Sequence, residues 1–273
     1  MPINSLMSIQ SSNFSGVVVP NSICWYDMGD LSNIYDVSGN NVTGINMTVK
    51  TIKNKAVNSP NINNLVSYDV SANYSSYVIT MIFGIQRYAV STLTNPNTGF
   101  KTDGLTDLSK GFAVVMVFTS SGNTSPYWCK YTNTYYPFSC LSNTRYIGNG
   151  TSFSAATSSQ STSSGSAVPI IFYNDFNTTT MKYNEYVNSS GALLDASFSY
   201  YGDISSNPLY IGTRNGGFGG AYKYYEMLVF PFPLSTNQRW VVEGWLATKH
   251  QLLDYLPSDH LYKGGYFGTN PLH

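Results

Sequence analysis

Acidic and basic residues are scarce in this chain of 273 residues: only 10% of the sequence is charged, and fourteen acids balance fourteen bases. Soluble domains usually carry about 25% charge. A chain this poor in lysine and arginine lacks the basic clusters that neutralise phosphates, so nucleic acid is not an expected partner. Glutamate is rarer still, with Glu185, Glu226 and Glu243 alone. Histidine is limited to His250, His260 and His273, which form no pair at metal-ligand spacing and have no cysteine neighbour. The cysteines are Cys24, Cys129 and Cys140, an odd number that argues against a full disulfide framework, although Cys129 and Cys140 could close a loop. Long apolar runs are missing too. Phe112 to Phe118 falls far short of the ~20 residues that span a bilayer, and residues 1–10 lack the basic start of a secretory leader, so a soluble protein is expected.

What is present is aromatic and polar. The 23 Tyr, 14 Phe and 4 Trp lie in a sequence that is 42% hydrophobic, enough to build a sizeable core. Solubility falls to Asn, Ser, Thr and Tyr, and a net charge of zero favours association over mutual repulsion.

Short β-prone runs recur between turn-forming residues: Tyr77 to Ile85, Phe112 to Thr119, Val168 to Tyr173, Met181 to Val187, Leu209 to Gly212 and Tyr222 to Phe230. Alternation within Phe112 to Phe118 puts Phe112, Val114, Met116 and Phe118 on one face, with Ala113, Val115 and Val117 on the other. Both faces need cover. One meets an opposing sheet, and the other must meet a helix, a loop or another subunit. Asn188 to Gly191 reads as a hairpin turn after Met181 to Val187. Ser152 to Ala167, rich in Ser, Thr and Gly, reads as an exposed loop. Near the C-terminus, Ser235 followed by Gln238 forms a capping box, and apolar residues at helical spacing predict a helix over 236–253, stopped by Leu256-Pro257.

That closing segment carries a family likeness. Arg239, then Glu243-Gly244-Trp245-Leu246-Ala247-Thr248-Lys249, then Leu256-Pro257-Ser258-Asp259-His260-Leu261-Tyr262-Lys263, resembles the signature that ends many concanavalin A-like lectin/glucanase (laminin-G-like) domains of giant DNA virus, phage and marine bacterial surface proteins. Trp25-Tyr26-Asp27, Asp30-Leu31-Ser32 and Ser38-Gly39-Asn40 are similar to the family's opening pattern. The sequence departs from it with Trp245 for tyrosine, His250 for an aromatic, Gln251 for glycine and Leu261 for proline. The resemblance implies an all-β, two-sheet antiparallel jelly-roll sandwich over residues 20–263 with one C-terminal helix, an N-terminal arm at 1–19 and a tail at 264–273. It assigns a structural part to Ser235, Arg239, Glu243, Gly244, Trp245, Pro257, His260 and Tyr262.

Chemistry is harder to find. A retaining glucanase needs two carboxylates about 5 to 5.5 Å apart, and no acid stands two or four residues from Glu226. Glu226, placed by strict alternation on one face with Tyr224 and Leu228, reads as a structural acid paired with Arg239 or Lys249. The chain is expected not to be an enzyme. No cofactor is expected; calcium, which the resemblance allows through Asp27, Asp30, Asp103 and Asp107, is not supported by a motif. Sugar faces stack on aromatic rings, which makes Tyr127, Trp128, Tyr135 and Tyr136 the candidate glycan-binding residues, with Tyr200-Tyr201 beside them. Two functions remain. The resemblance and the low charge together imply a structural virion protein, a minor capsid or decoration subunit assembled in the infected-cell cytoplasm, whose partners are other capsid subunits. The alternative is a lectin-like module that binds glycans for host attachment.

Overall fold

The structure, a computed structural model, describes residues 22–264 apart from segments at 57–62, 68–75, 83–84, 93–98, 104–107, 109, 121–126, 130–137, 142–143, 149–152, 158–167, 191–193, 199–207, 215–217 and 220–221. The expected arm at 1–19 therefore lies outside the described residues, as does the tail beyond Gly264.

Two large antiparallel sheets and one α-helix dominate the described residues. The first sheet runs, edge to edge, Leu194–Ser197, Lys182–Val187, Ile170–Asn177, Gly111–Ser120, Tyr222–Phe230, Ile85–Ser91 and Ser76–Ile82, and Cys24–Asp27 also pairs with Tyr222–Phe230. The second runs Phe153–Thr157, Thr144–Gly148, Phe138–Leu141, Tyr127–Cys129, Leu209–Ile211, Phe100–Thr102, Leu65–Ser67, Thr51–Ile52 and Ile34–Tyr35. Thr213–Arg214 and Phe218–Gly219 form a separate two-stranded ladder.

Gly111–Ser120 shows why the sheets stack as they do, because all ten residues are buried. Phe112, Val114, Met116 and Phe118 join Ile34, Ile52, Leu65, Phe100, Leu209 and Ile211 of the second sheet in an inter-sheet core. Ala113, Val115 and Val117 turn the other way and meet Val241, Val242, Trp245, Leu246 and Ala247 of the helix. The doubly apolar strand is thus covered by a sheet on one side and a helix on the other. At roughly 1.5 to 3 kcal/mol per fully buried aliphatic side chain, these two layers dominate the stability of the fold. Gly111 begins the strand at φ +103°, where a Cβ would lie 2.3 Å from the carbonyl oxygen of Phe176.

The helix, α1, spans Thr236–His250. Its capping box forms as the sequence predicts: the Gln238 amide N–H donates to Ser235 Oγ at 3.3 Å, and the Ser235 N–H donates to Gln238 Oε1 at 2.9 Å. Its end comes earlier than 253. Gln251 adopts the left-handed conformation at φ +59°, and the Leu252 N–H closes on the Ala247 carbonyl at 2.7 Å. The chain then makes a 3-10 turn over Leu253–Tyr255 before Pro257. Turn chemistry at Gln251, not the later proline, stops the helix.

Three further expectations are corrected. Tyr77 to Ile85 is two strands, with Ile82 opposite Ile85 in the hairpin. Part of the Ser152–Ala167 stretch is a strand, since Phe153–Thr157 pairs with Thr144–Gly148 at the edge of the second sheet. Ladder hydrogen bonds come from the backbone, so an edge strand can be built from Ser and Ala. Finally, Tyr224 and Glu226 do not share a face. The ladder with Gly111–Ser120 shifts register between them, so that Tyr225 and Glu226 stand together against Val117. This bulge leaves Tyr224 in the inter-sheet core and turns Glu226 toward the helix.

Candidate functional site

The bulge determines the centre of the site. Glu226 is fully buried, and each of its oxygens has partners. Trp25 Nε1 donates to Oε1 at 2.7 Å, and Lys249 Nζ, from the last turn of α1, reaches Oε1 at 2.9 Å and Oε2 at 2.7 Å. His250 Nε2 lies 2.8 Å from Oε2. A carboxylate only accepts, so this histidine carries its proton on Nε2. Burial alone would raise the Glu226 carboxyl, but the Lys249 charge and the His250 hydrogen bond outweigh it and hold the group down at about 2. Lys249 is held charged well above the usual lysine range: burial opposes the charge, and Glu226 and Asp27 more than reverse that.

Asp27 stands directly across the strand pair from Glu226 and accepts from Lys249 Nζ at 2.9 Å. It also accepts the Gly29 N–H at 3.0 Å and lies 3.5 Å from Lys55 Nζ. Lys55 bonds more closely to Asp30, at 2.6 Å, and its ammonium sits 4.7 Å from the centre of the Trp25 ring. Above these groups opens a cleft of about 500 Å³ lined by Asp27, Gly29, Asp30, Gln86, Arg87, Tyr88, Lys249 and His250. Tyr88, at its wall, is 38% exposed. Anchored carboxylates, a lysine, an amide and an exposed aromatic ring offer both hydroxyl-binding groups and a stacking surface in one concavity.

The residues that carry the sequence resemblance form a different constellation, beneath α1. Arg239, Glu243 and His260 are all buried, with Arg239 Nε and His260 Nε2 each 3.8 Å from Glu243 Oε2. The Arg239 guanidinium also lies 3.6 Å from the centre of the Tyr186 ring. Tyr262 closes on Gly244, where a Cβ would come within 2.4 Å of the tyrosine Cβ. Trp245 meets Trp25 edge-to-face at 5.9 Å between ring centres. The His260 N–H donates to the Pro257 carbonyl at 3.1 Å, and Lys263 Nζ donates to the carbonyls of Leu253, Asp254 and Leu256. Ser235 caps the helix, and these residues together fasten the closing loop to it. Glu226 takes Lys249 as its partner, while Arg239 belongs to Glu243.

Of the aromatic candidates for glycan contact, Tyr127 and Trp128 occupy a strand of the second sheet, opposite Ile211 and Tyr210, with their side chains outside the described residues. Tyr135, Tyr136, Tyr200 and Tyr201 lie outside the described residues altogether, as does Asp107, and so do the side chains of Cys129 and Cys140. Cys24 is a free thiol in the inter-sheet core, pushed up to about 12 by burial. Asp103 accepts from Asn64 Nδ2 at 3.1 Å. Among the described residues no group of three His, Cys, Asp or Glu side chains could hold a metal ion, and no helix is long and apolar enough to cross a membrane.

The cleft went unseen in the sequence. Asp27 and Glu226 are 199 positions apart and meet only through strand register. Gln86, Arg87 and Tyr88 belong to the second arm of a hairpin, for which Gly84 is the sequence signal.

No protein-family model matches the sequence, and no curated protein does. The chain is similar to several solved structures. An arabinofuranosidase complexed with arabinofuranosyl-alpha-1,2-xylobiose aligns over 81% of this chain and 58% of its own, with a TM-score of 0.51 and 12% identity. The binding domain of Paraclostridial Mosquitocidal Protein 1 aligns over 78% and 52%, with a TM-score of 0.49 and 11% identity. Domain 4 of AbnA, an extracellular arabinanase from Geobacillus stearothermophilus, in complex with arabinotriose, aligns over 80% and 96%, with a TM-score of 0.49 and 13% identity. The chain thus spans little more than half the length of the first two. At 12% identity the likeness to the arabinofuranosidase extends to the fold alone.

Proposed function

We propose that this chain is a non-catalytic saccharide-binding module and that the cleft beside the C-terminal end of α1 is its site. The observation that carries the reading is the open cleft itself, in which the exposed Tyr88 ring stands beside Asp27, Asp30, Gln86 and Lys249. Asp27, Asp30 and Lys249 are already fixed by ion pairs, so a ligand meets groups whose ordering cost has been met in folding.

The same geometry argues for binding rather than hydrolysis. Asp27 and Glu226 are a carboxylate pair, but Lys249 lies between them, and Glu226 is buried and held ionised. A general acid for glycoside cleavage needs the opposite, a carboxyl with a raised pKa that faces the substrate. A coat-subunit role, with other capsid subunits as partners, rests on the arm at 1–19 and the tail at 264–273, and no feature of the described surface favours it over saccharide binding.

A glycan array tests the proposal. Selective hits are expected, weakened roughly two- to tenfold by Tyr88→Ala, as loss of one aromatic stacking contact costs about 0.5 to 1.5 kcal/mol. An array without hits, or glycan turnover that Glu226→Gln abolishes, overturns it.

A further inference from the structure

The ionic groups around the cleft engage one another with one exception. Lys249 is bound to Asp27 and Glu226, and Lys55 to Asp30 with Asp27 nearby. Arg87 also lines the cleft, from strand Ile85–Ser91, yet among the described residues it makes no ion pair, and its buried Nε has no hydrogen-bond partner. The carboxylates that share the cleft are occupied by the two lysines. A guanidinium stays protonated in proteins, and an unanswered donor on a half-buried cation is costly. Burial already presses on the charge, lowering the Arg87 pKa from the usual arginine value.

We propose that the occupant of the cleft is an anionic saccharide, whose carboxylate or sulfate pairs with Arg87 while a sugar ring packs on Tyr88. The inference rests on the saccharide-binding reading and adds the class of sugar. The paired Nη groups at the outer edge of the guanidinium match two oxygens of an oxyanion, a geometry that a lysine cannot reproduce. The lysines, tied to their own carboxylates, leave Arg87 as the group that distinguishes a charged sugar from its neutral counterpart. The exposed amide of Gln86, the neighbouring residue in the same lining, remains for hydroxyls.

The test uses the full chain and matched probes: lactose, 3′-sialyllactose and 3′-sulfolactose, together with galactotriose and trigalacturonate, titrated calorimetrically after an array of neutral, carboxylated and sulfated glycans. The expected result is that anionic glycans bind at least about tenfold tighter than their neutral counterparts, that this preference shrinks with added salt, and that Arg87→Gln removes it while Arg87→Lys restores only part. The sialylated and galacturonate arms against the sulfated arm show which oxyanion is read. Neutral glycans binding as well as anionic ones, or a folded Arg87→Gln protein that keeps the preference, overturns the inference and leaves saccharide binding standing. Binding of no saccharide in either class overturns both. Should Arg87→Gln fail to fold, the anionic-to-neutral ratio and its salt dependence in the unaltered protein decide.

Discussion

Asp27 and Glu226 face each other across adjacent antiparallel strands, with the ammonium of Lys249 seated between them, 2.9 Å from the aspartate and 2.7 Å from the glutamate. This bridge ties the first strand, the bulged strand and the end of α1 together. Removing Lys249 alone leaves a buried glutamate charge without its main partner. Lys249→Met is therefore expected to cost about 3 to 5 kcal/mol in urea unfolding, and the double variant with Glu226→Gln to recover much of that loss. Independent, additive effects of the two substitutions would contradict the bridge.

Stability should depend on pH through Glu226. Its folded-state pKa of about 2 lies below the ordinary value of 4.5, so its contribution is complete above about pH 4.5 and is lost as the pH falls toward 2. Lys249 has the opposite sign: its raised pKa gives stability that is full below the ordinary lysine value of 10.5 and declines above it. The acid contribution is on the order of 3 kcal/mol. Thermal melts between pH 2 and 6 are expected to show a shallower acid slope for Glu226→Gln than for the unaltered chain.

Gln251 occupies a left-handed C-cap at φ +59°, a conformation that costs a residue with a Cβ about 1 kcal/mol. Gln251→Gly should raise the melting temperature, against the usual trend for glycine substitutions. A lower melting temperature would show that the Gln251 side chain contributes more than the strain removes.

Gly244→Ala should show the reverse surprise. Alanine favours a helix interior over glycine by roughly 1 kcal/mol, yet here the added methyl meets Tyr262 Cβ at 2.4 Å. Net destabilisation, measured by denaturant titration, is the expected outcome. A more stable variant would mean that the closing loop moves aside freely.

Much of the architecture was readable because local patterns are short-range. Alternation in Phe112 to Phe118 disclosed a strand buried on both faces, and Ser235 with Gln238 marked the first turn of α1. The contacts that Arg239, Glu243 and His260 make with one another between the last loop and the helix were not readable from the closing segment. The cleft was not readable, for a physical reason. A bulge at Tyr225 and Glu226 shifts a side chain to the other face without altering composition, and the Asp27–Glu226 pairing depends on register between distant strands. Aromatic richness drew attention to Tyr127, Trp128, Tyr135 and Tyr136, whereas Tyr88 sits in a run that alternation alone does not distinguish from any other strand.

The most direct test is a two-dimensional amide NMR titration of the protein with the tightest-binding glycan from the array. Saccharide binding in the cleft predicts saturable shifts at Asp27 to Asp30, Gln86 to Tyr88 and Lys249 to His250, with little change at Tyr127 and Trp128. Shifts confined to the neighbourhood of Tyr127, Trp128, Tyr135 and Tyr136, or none at the cleft, would contradict it.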